Sequence, residues 1–225
     1  MAAERLHLVR HGEVFNPDHV LYGRLPGYHL SEAGRRMAQA AADHLAGLDR
    51  PVSALRCSPL ERTQESAEPF TAAFGLAPRL DDRIIEPWNV FEGTRMRRAL
   101  MNPWNWRHLR RPSVPSWGEP YASIADRMRA AMDEAWHEAP GGDVVFVSHQ
   151  APIWITHLSV AGLPLRHDPR TRRCALSSIT SFERVGDVWR EVDYAEPAPA
   201  GKDEDVATLK AELARLQEKI EKLGH

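Results

Sequence analysis

The sequence predicts an α/β fold, a three-layer α/β/α sandwich around a mainly parallel central sheet. Three observations carry this. Short apolar runs alternate along the chain with longer helical segments, as repeated strand–helix units do. One run, DVVFVS at 143–148, is nearly all apolar, as a strand covered on both faces must be. Helix-starting residues, Ser31, Pro59 and Pro152, stand just after or just inside the junctions between such runs and the segments that follow.

Taken in order, residues 5–10 read as a strand, with Leu6, Leu8 and Val9 apolar. Residues 30–48 read as a helix that Ser31 caps and that stops near Gly47. A second strand spans 52–58, and Pro59 opens a helix running to about Phe74, with Gly75 as its stop. Residues 76–120 are less regular, and 121–138 form a long amphipathic helix. A Pro-Gly-Gly turn leads into the strand at 143–148, and a helix follows over 151–161 with Pro152 at its first position. The stretch LSSITSFERVGDVWREVDY reads as two strands joined at Gly186-Asp187.

This organisation gives a catalytic-type domain over 1–195, with a basic cap insertion at about 91–120. A Pro/Ala linker follows at 196–202, then a C-terminal helix at 203–225. In that helix Val206, Leu209, Leu213, Leu216, Ile220 and Leu223 recur at a/d spacing. The narrow stripe and the linker favour a coiled-coil contact between subunits, hence a homodimer, over packing on the helix's own domain.

Composition excludes several classes. The formal charge of −2 offers no global field for nucleic acid or membrane. Cys57 and Cys174 are far apart, with neither disulfide-scaffold nor metal-site spacing. The start MAAERLHL has no apolar signal core, and no apolar run approaches the ~20 residues of a membrane span. The expectation is a soluble, cytoplasmic protein with no nucleic-acid or membrane partner. Neither GxxxxGK[ST] nor GxGxxG occurs.

In open α/β sheets ligands bind beyond the carboxyl ends of the parallel strands. The first strand ends in Arg10-His11-Gly12-Glu13, the second in Ser58 with Arg62 in the next helix's first turn, and the strand at 143–148 in Ser148-His149. Two histidines and two arginines thus converge beside two helix N-termini. Arginine forks fit phosphate oxygens, and helix N-termini favour anions. Neutral imidazole is a nucleophile for phosphorus, and Arg10 and Arg62 would keep His11 neutral. Gly12 lets the backbone approach closely. The implied partner is a small phosphorylated molecule. Ser58 and Ser148 lack a nucleophile-elbow context.

These residues resemble the histidine phosphatase superfamily, the phosphoglycerate mutase-like family. LVRHGE at 8–13, LSEAGRRMAQA, CSPLERTQESA, IIEPWNVFEG, WGEPYASIADRM and VVFVSHQAPI resemble its successive motifs over nearly the whole chain before residue 196. The resemblance implies a phosphomonoesterase in which His11 is the nucleophile and becomes a phosphohistidine. Arg10, Arg62 and His149 would hold the transferring phosphoryl group, and Glu86 would protonate the leaving oxygen and then activate water. It implies no metal or cofactor. Gly12, Asn16, Arg24 and Gln150 complete the candidate substrate-binding set. The chain departs from the family pattern at Asn16, which follows Glu13 after two residues rather than three, at Gln150 in place of Gly, and at GEP in place of Gly-Glu-Ser. Asp81, Asp82 and Glu92 compete for the acid role, with Glu92 read as structural and Glu13 as a supporting partner of an arginine.

Two other readings stay open: a phosphoglycerate mutase, against which VLYGRLPGYHL stands where mutases carry Phe-Thr-Gly-Trp, and a weakly catalytic phospho-ligand binding module. The segment 95–111 holds six arginines and no acid, with Trp104 and Trp106 interleaved. It reads as a solvated cap with its tryptophans packed inward or as a cap that steers an anionic substrate; a third reading, a patch stacking on single-stranded nucleic acid, is disfavoured because one local patch on a near-neutral protein gives weak backbone affinity. Arg166, Arg170, Arg172 and Arg173 form a second basic run bordering the same mouth.

Overall fold

The computed structural model describes residues 3–105 and 117–198. The chain runs β1 (Leu6–Arg10), α1 (Glu32–Ala46), β2 (Val52–Cys57), α2 (Glu61–Phe74), β3 (Arg79–Leu80), α3 (Met96–Met101), α4 (Tyr121–Glu138), β4 (Asp143–Ser148), α5 (Gln150–Val160), β5 (Ile179–Val185) and β6 (Val188–Ala195). The strands form one six-stranded sheet in the order β3-β2-β4-β1-β5-β6. The first four are mutually parallel, while β5 runs antiparallel to β1 and β6 antiparallel to β5.

The period-2 alternation of β1 and β4 builds the three layers. Leu6, Leu8, Val144 and Phe146 enter the core beneath α4 and α5, while Val9, Val145 and Val147 enter the core beneath α1 and α2. Each such burial contributes about 1.5–3 kcal/mol. On α1 the inward stripe is alanine, Ala38, Ala41 and Ala42, so the helix lies close to the sheet. Ser31 Oγ caps α1 by accepting from Gly34 N at 2.9 Å, as its position predicts. Gly75 ends α2 at φ +67°, a left-handed conformation that glycine adopts without steric cost.

Four expectations are corrected. The helix expected to open at Pro59 begins at Glu61, with Leu60 as its capping residue, so that proline stands ahead of the helix rather than at its first position. The helix expected to open at Pro152 begins at Gln150, with His149 as the capping residue, so proline occupies its third position. That position tolerates proline too, because the first helical N–H groups have no internal acceptor. The segment 76–120 holds β3, a short turn of tight helix at Asp82–Ile84 and α3. Trp104 does not pack inward; it is 77% exposed. Trp106 and the arginines at 107, 110 and 111 lie outside the described residues, as does the expected helix at 203–225 with most of its linker. Among the described residues no helix is long and apolar enough to cross a membrane.

Candidate active site

The sheet order explains the convergence. β2, β4 and β1 are neighbours, and each hands its next residue to the same edge: Ser58, His149 and His11. The ladder continues one step past the strands, with Ser58 N donating to Val147 O at 3.0 Å and His11 N to Ser148 O at 3.1 Å. α2 and α5 start at this edge, and neither has a side-chain cap on its first N–H groups.

His11 is 3% exposed and lines a cavity of about 370 Å³. Its Nδ1 lies 2.7 Å from the Gly12 carbonyl, which can only accept. Nδ1 therefore carries the proton, and Nε2 carries the lone pair. Burial, then the charges of Arg10 and Arg62, hold its pKa well below the usual histidine value, so the ring is neutral. The His149 ring meets it edge-on at 5.2 Å between centroids.

Arg62, in the first turn of α2, is wholly buried. Nη2 donates to Gly23 O at 2.7 Å, and its guanidinium lies 4.8 Å over the Tyr22 ring. Its Nε and Nη1 have no partner among the described residues, and neither does Arg10 Nε. Arg10 is anchored through Nη1 to Cys174 O at 2.6 Å. Three buried guanidinium donors thus await an acceptor, whereas buried donors are normally paired.

Glu86 also faces the cavity, with Oε2 unpaired and 4.0 Å from His149 Nδ1. Burial raises its pKa against the pull of Arg62 and Arg172. The loop that delivers it is fixed on several sides. Asp81 bonds Arg56 at 2.9 Å and Arg83 at 2.7 Å, Ser148 Oγ donates to Ile84 O at 2.7 Å, and Arg24 Nε donates to Glu86 O at 2.5 Å. The competing acids are thereby placed elsewhere. Asp81 is consumed by arginines, Asp82 is exposed, and Glu92 accepts from Asn89 N at 3.0 Å. Glu13 bonds the capping Ser31 rather than an arginine.

Four expected binding residues take other positions. Gly12 is tight not against the cavity but against α1: a Cβ there would stand 2.2 Å from Gly34 O. Its N–H donates to Ser66 Oγ at 3.1 Å, tying the loop to α2. The Asn16 amide is spent on Val20, donating to its carbonyl at 2.8 Å and accepting from its N–H at 3.1 Å. Arg24 braces Glu86 O and Glu119 rather than lining the cavity. His149 is fully buried, with Nε2 2.7 Å from Ser58 Oγ and Nδ1 accepting from Arg62 Nη2 at 3.3 Å. It meets the site through Arg62, His11 and Glu86. Gln150 does line the cavity.

Tyr22, Trp88, Trp117, Glu119, Tyr121 and Arg172 also line the cavity; the first five lie within quoted motifs and Arg172 in the second basic run, but the sequence alone assigns none of them a binding role. Glu119 is neutralised by Arg127 at 2.7 Å, so the cavity's net charge is positive. Among the described residues no group of three or more His, Cys, Asp or Glu side chains is placed to hold a metal ion.

Known proteins match the chain over most of its length. The family model for the histidine phosphatase superfamily, branch 1, matches residues 6–197. The uncharacterized protein Rv0525 of Mycobacterium tuberculosis strain H37Rv is 49% identical over 197 residues, covering 86% of this chain and 96% of that protein. A Yersinia enterocolitica protein named "Probable phosphoglycerate mutase GpmB" is 28% identical over 184 residues, covering 78% of this chain and 84% of that protein. The solved structure of mycobacterial glucosyl-3-phosphoglycerate phosphatase Rv2419c with inorganic phosphate superimposes with a TM-score of 0.70 at 26% identity, covering 88% of this chain and 100% of that one.

Proposed function

The chain belongs to the histidine phosphatase superfamily, and from that premise we propose that it is a metal-independent phosphomonoester hydrolase working through a phosphohistidine at His11. The observation that carries this reading is the set of three unpaired guanidinium donors, on Arg62 and Arg10, around a cavity that His11 lines. A phosphoryl group supplies the oxygens that these donors lack.

The chemistry follows from the atoms. His11 Nε2 attacks phosphorus in line, forming the N–P bond as the bond to the leaving oxygen breaks. Arg10 and Arg62 balance the charge on the equatorial oxygens, where each such preorganised donor is worth roughly 10²–10³ in rate. Glu86, whose pKa burial raises, gives its proton to the leaving oxygen. The carboxylate then takes a proton from water, whose oxygen displaces His11 and releases inorganic phosphate. His149 keeps Arg62 and His11 in register.

The name of the solved phosphatase neighbour supports hydrolysis, whereas that of the Yersinia relative supports mutase activity. Steady phosphate release from p-nitrophenyl phosphate, undiminished by EDTA and abolished in His11→Ala, is the expected result. Isomerisation of a phosphoglycerate stimulated by 2,3-bisphosphoglycerate would replace this reading with the mutase. Binding of phosphoesters with no turnover across a panel would replace it with a binding module.

A further inference from the structure

We propose that Arg172 is a second anion-binding residue of the same cavity, so that preferred substrates carry an acidic group on the leaving alcohol. The inference rests on the hydrolase reading and names its substrate class. Arg172 follows the short helical turn Pro169–Thr171 and lines the cavity together with His11 and Glu86. Its Nε donates to His167 Nε2 at 2.9 Å. His167 is fixed for that task. Nδ1 lies 2.8 Å from Leu165 O, which can only accept, so Nδ1 holds the proton and Nε2 is left as acceptor. The ring packs 5.2 Å from Tyr121, itself a wall residue.

Pinned through Nε, Arg172 has no partner on its two terminal nitrogens among the described residues. The arginines around it differ. Arg127 and Arg24 bond Glu119, Arg170 bonds Asp168, and Arg173 bonds Glu191. An arginine held at one nitrogen by a neutral ring, with its fork free at a cavity wall, suits a carboxylate or phosphate. Arg10 and Arg62 take the phosphoryl group, so a second anion that meets Arg172 belongs to the leaving side of the substrate. Trp88, Trp117 and Tyr121 give that side a flat, apolar lining.

The test compares kcat/KM for phenyl phosphate, 4-carboxyphenyl phosphate and 1,4-phenylene bisphosphate in the wild type, Arg172→Gln and Arg172→Lys. Any loss common to all esters divides out of the ratio of the anionic esters to phenyl phosphate, and leaving-group chemistry divides out when that ratio is compared between variant and wild type. That ratio is expected to fall about tenfold in Arg172→Gln, through KM, as for loss of one charged hydrogen bond, and less in Arg172→Lys. A fall confined to the carboxylate or to the bisphosphate ester identifies which anion is read. Ratios equal to wild type in both variants overturn the assignment of Arg172. A wild type that turns over none of the three esters overturns the hydrolase reading, and this inference with it.

Discussion

At the scale of single residues, the site depends on opposite displacements of two titrating groups. Burial and the two arginines push His11 below its usual pKa, while burial pushes Glu86 above its own. The nucleophile thus stays neutral to lower pH, and the acid keeps its proton to higher pH, than the same groups exposed to water. The expected kcat/KM profile falls on its acid limb as His11 gains a proton and on its basic limb as Glu86 loses one. Glu86→Gln should remove the basic limb. It should lower kcat/KM for an alkyl phosphate by about 10²–10⁴, and less for p-nitrophenyl phosphate, whose leaving oxygen needs little protonation. A basic limb that persists in the variant would move the acid role to another residue. The residue types of the site were legible at the strand ends, but their partners were not. Arg24 and Asn16 are charged or polar residues near a phosphate-type loop, and nothing local shows that backbone atoms of Glu86 and Val20 engage them.

At the scale of elements, position comes from close packing of backbone on backbone. The Arg10–Glu13 loop meets α1 through two glycines. A Cβ on Gly34 would stand 2.0 Å from Glu13 O, just as one on Gly12 would meet Gly34 O. Gly34→Ala should therefore cost about 1–3 kcal/mol. It should lower Tm by several degrees and reduce kcat by displacing His11, although residue 34 touches no substrate. Unchanged Tm and kcat, measured by thermal unfolding and steady-state kinetics, would contradict this account of the loop. Most elements were readable because their signals are local. Short apolar runs marked β1 and β4, Ser31 marked the start of α1, and Gly75 marked the end of α2. β3 was not readable, since two residues, Arg79 and Leu80, carry no periodicity and are strand only because β2 pairs with them.

At the scale of the whole molecule, the sheet order does what no segment does alone. Residues 10, 11, 62, 86 and 172 are scattered over most of the domain. They meet because β1 and β2 flank β4, and because the loops before α4 and after α5 close over the same edge. A chain of net charge −2 thereby acquires one locally cationic cavity, a property that no composition figure contains. Sequence motifs pointed to the edge, but the aromatic wall could only be seen once the layers were assembled. The account's central claim is that His11 accepts the phosphoryl group. Rapid quench into alkali during a single turnover of a ³²P-labelled phosphomonoester, followed by peptide mapping, tests it most directly. The account predicts an acid-labile phosphoryl group on Nε2 of His11 that is absent from His11→Ala; label on another side chain, or equal labelling of the variant, would contradict it.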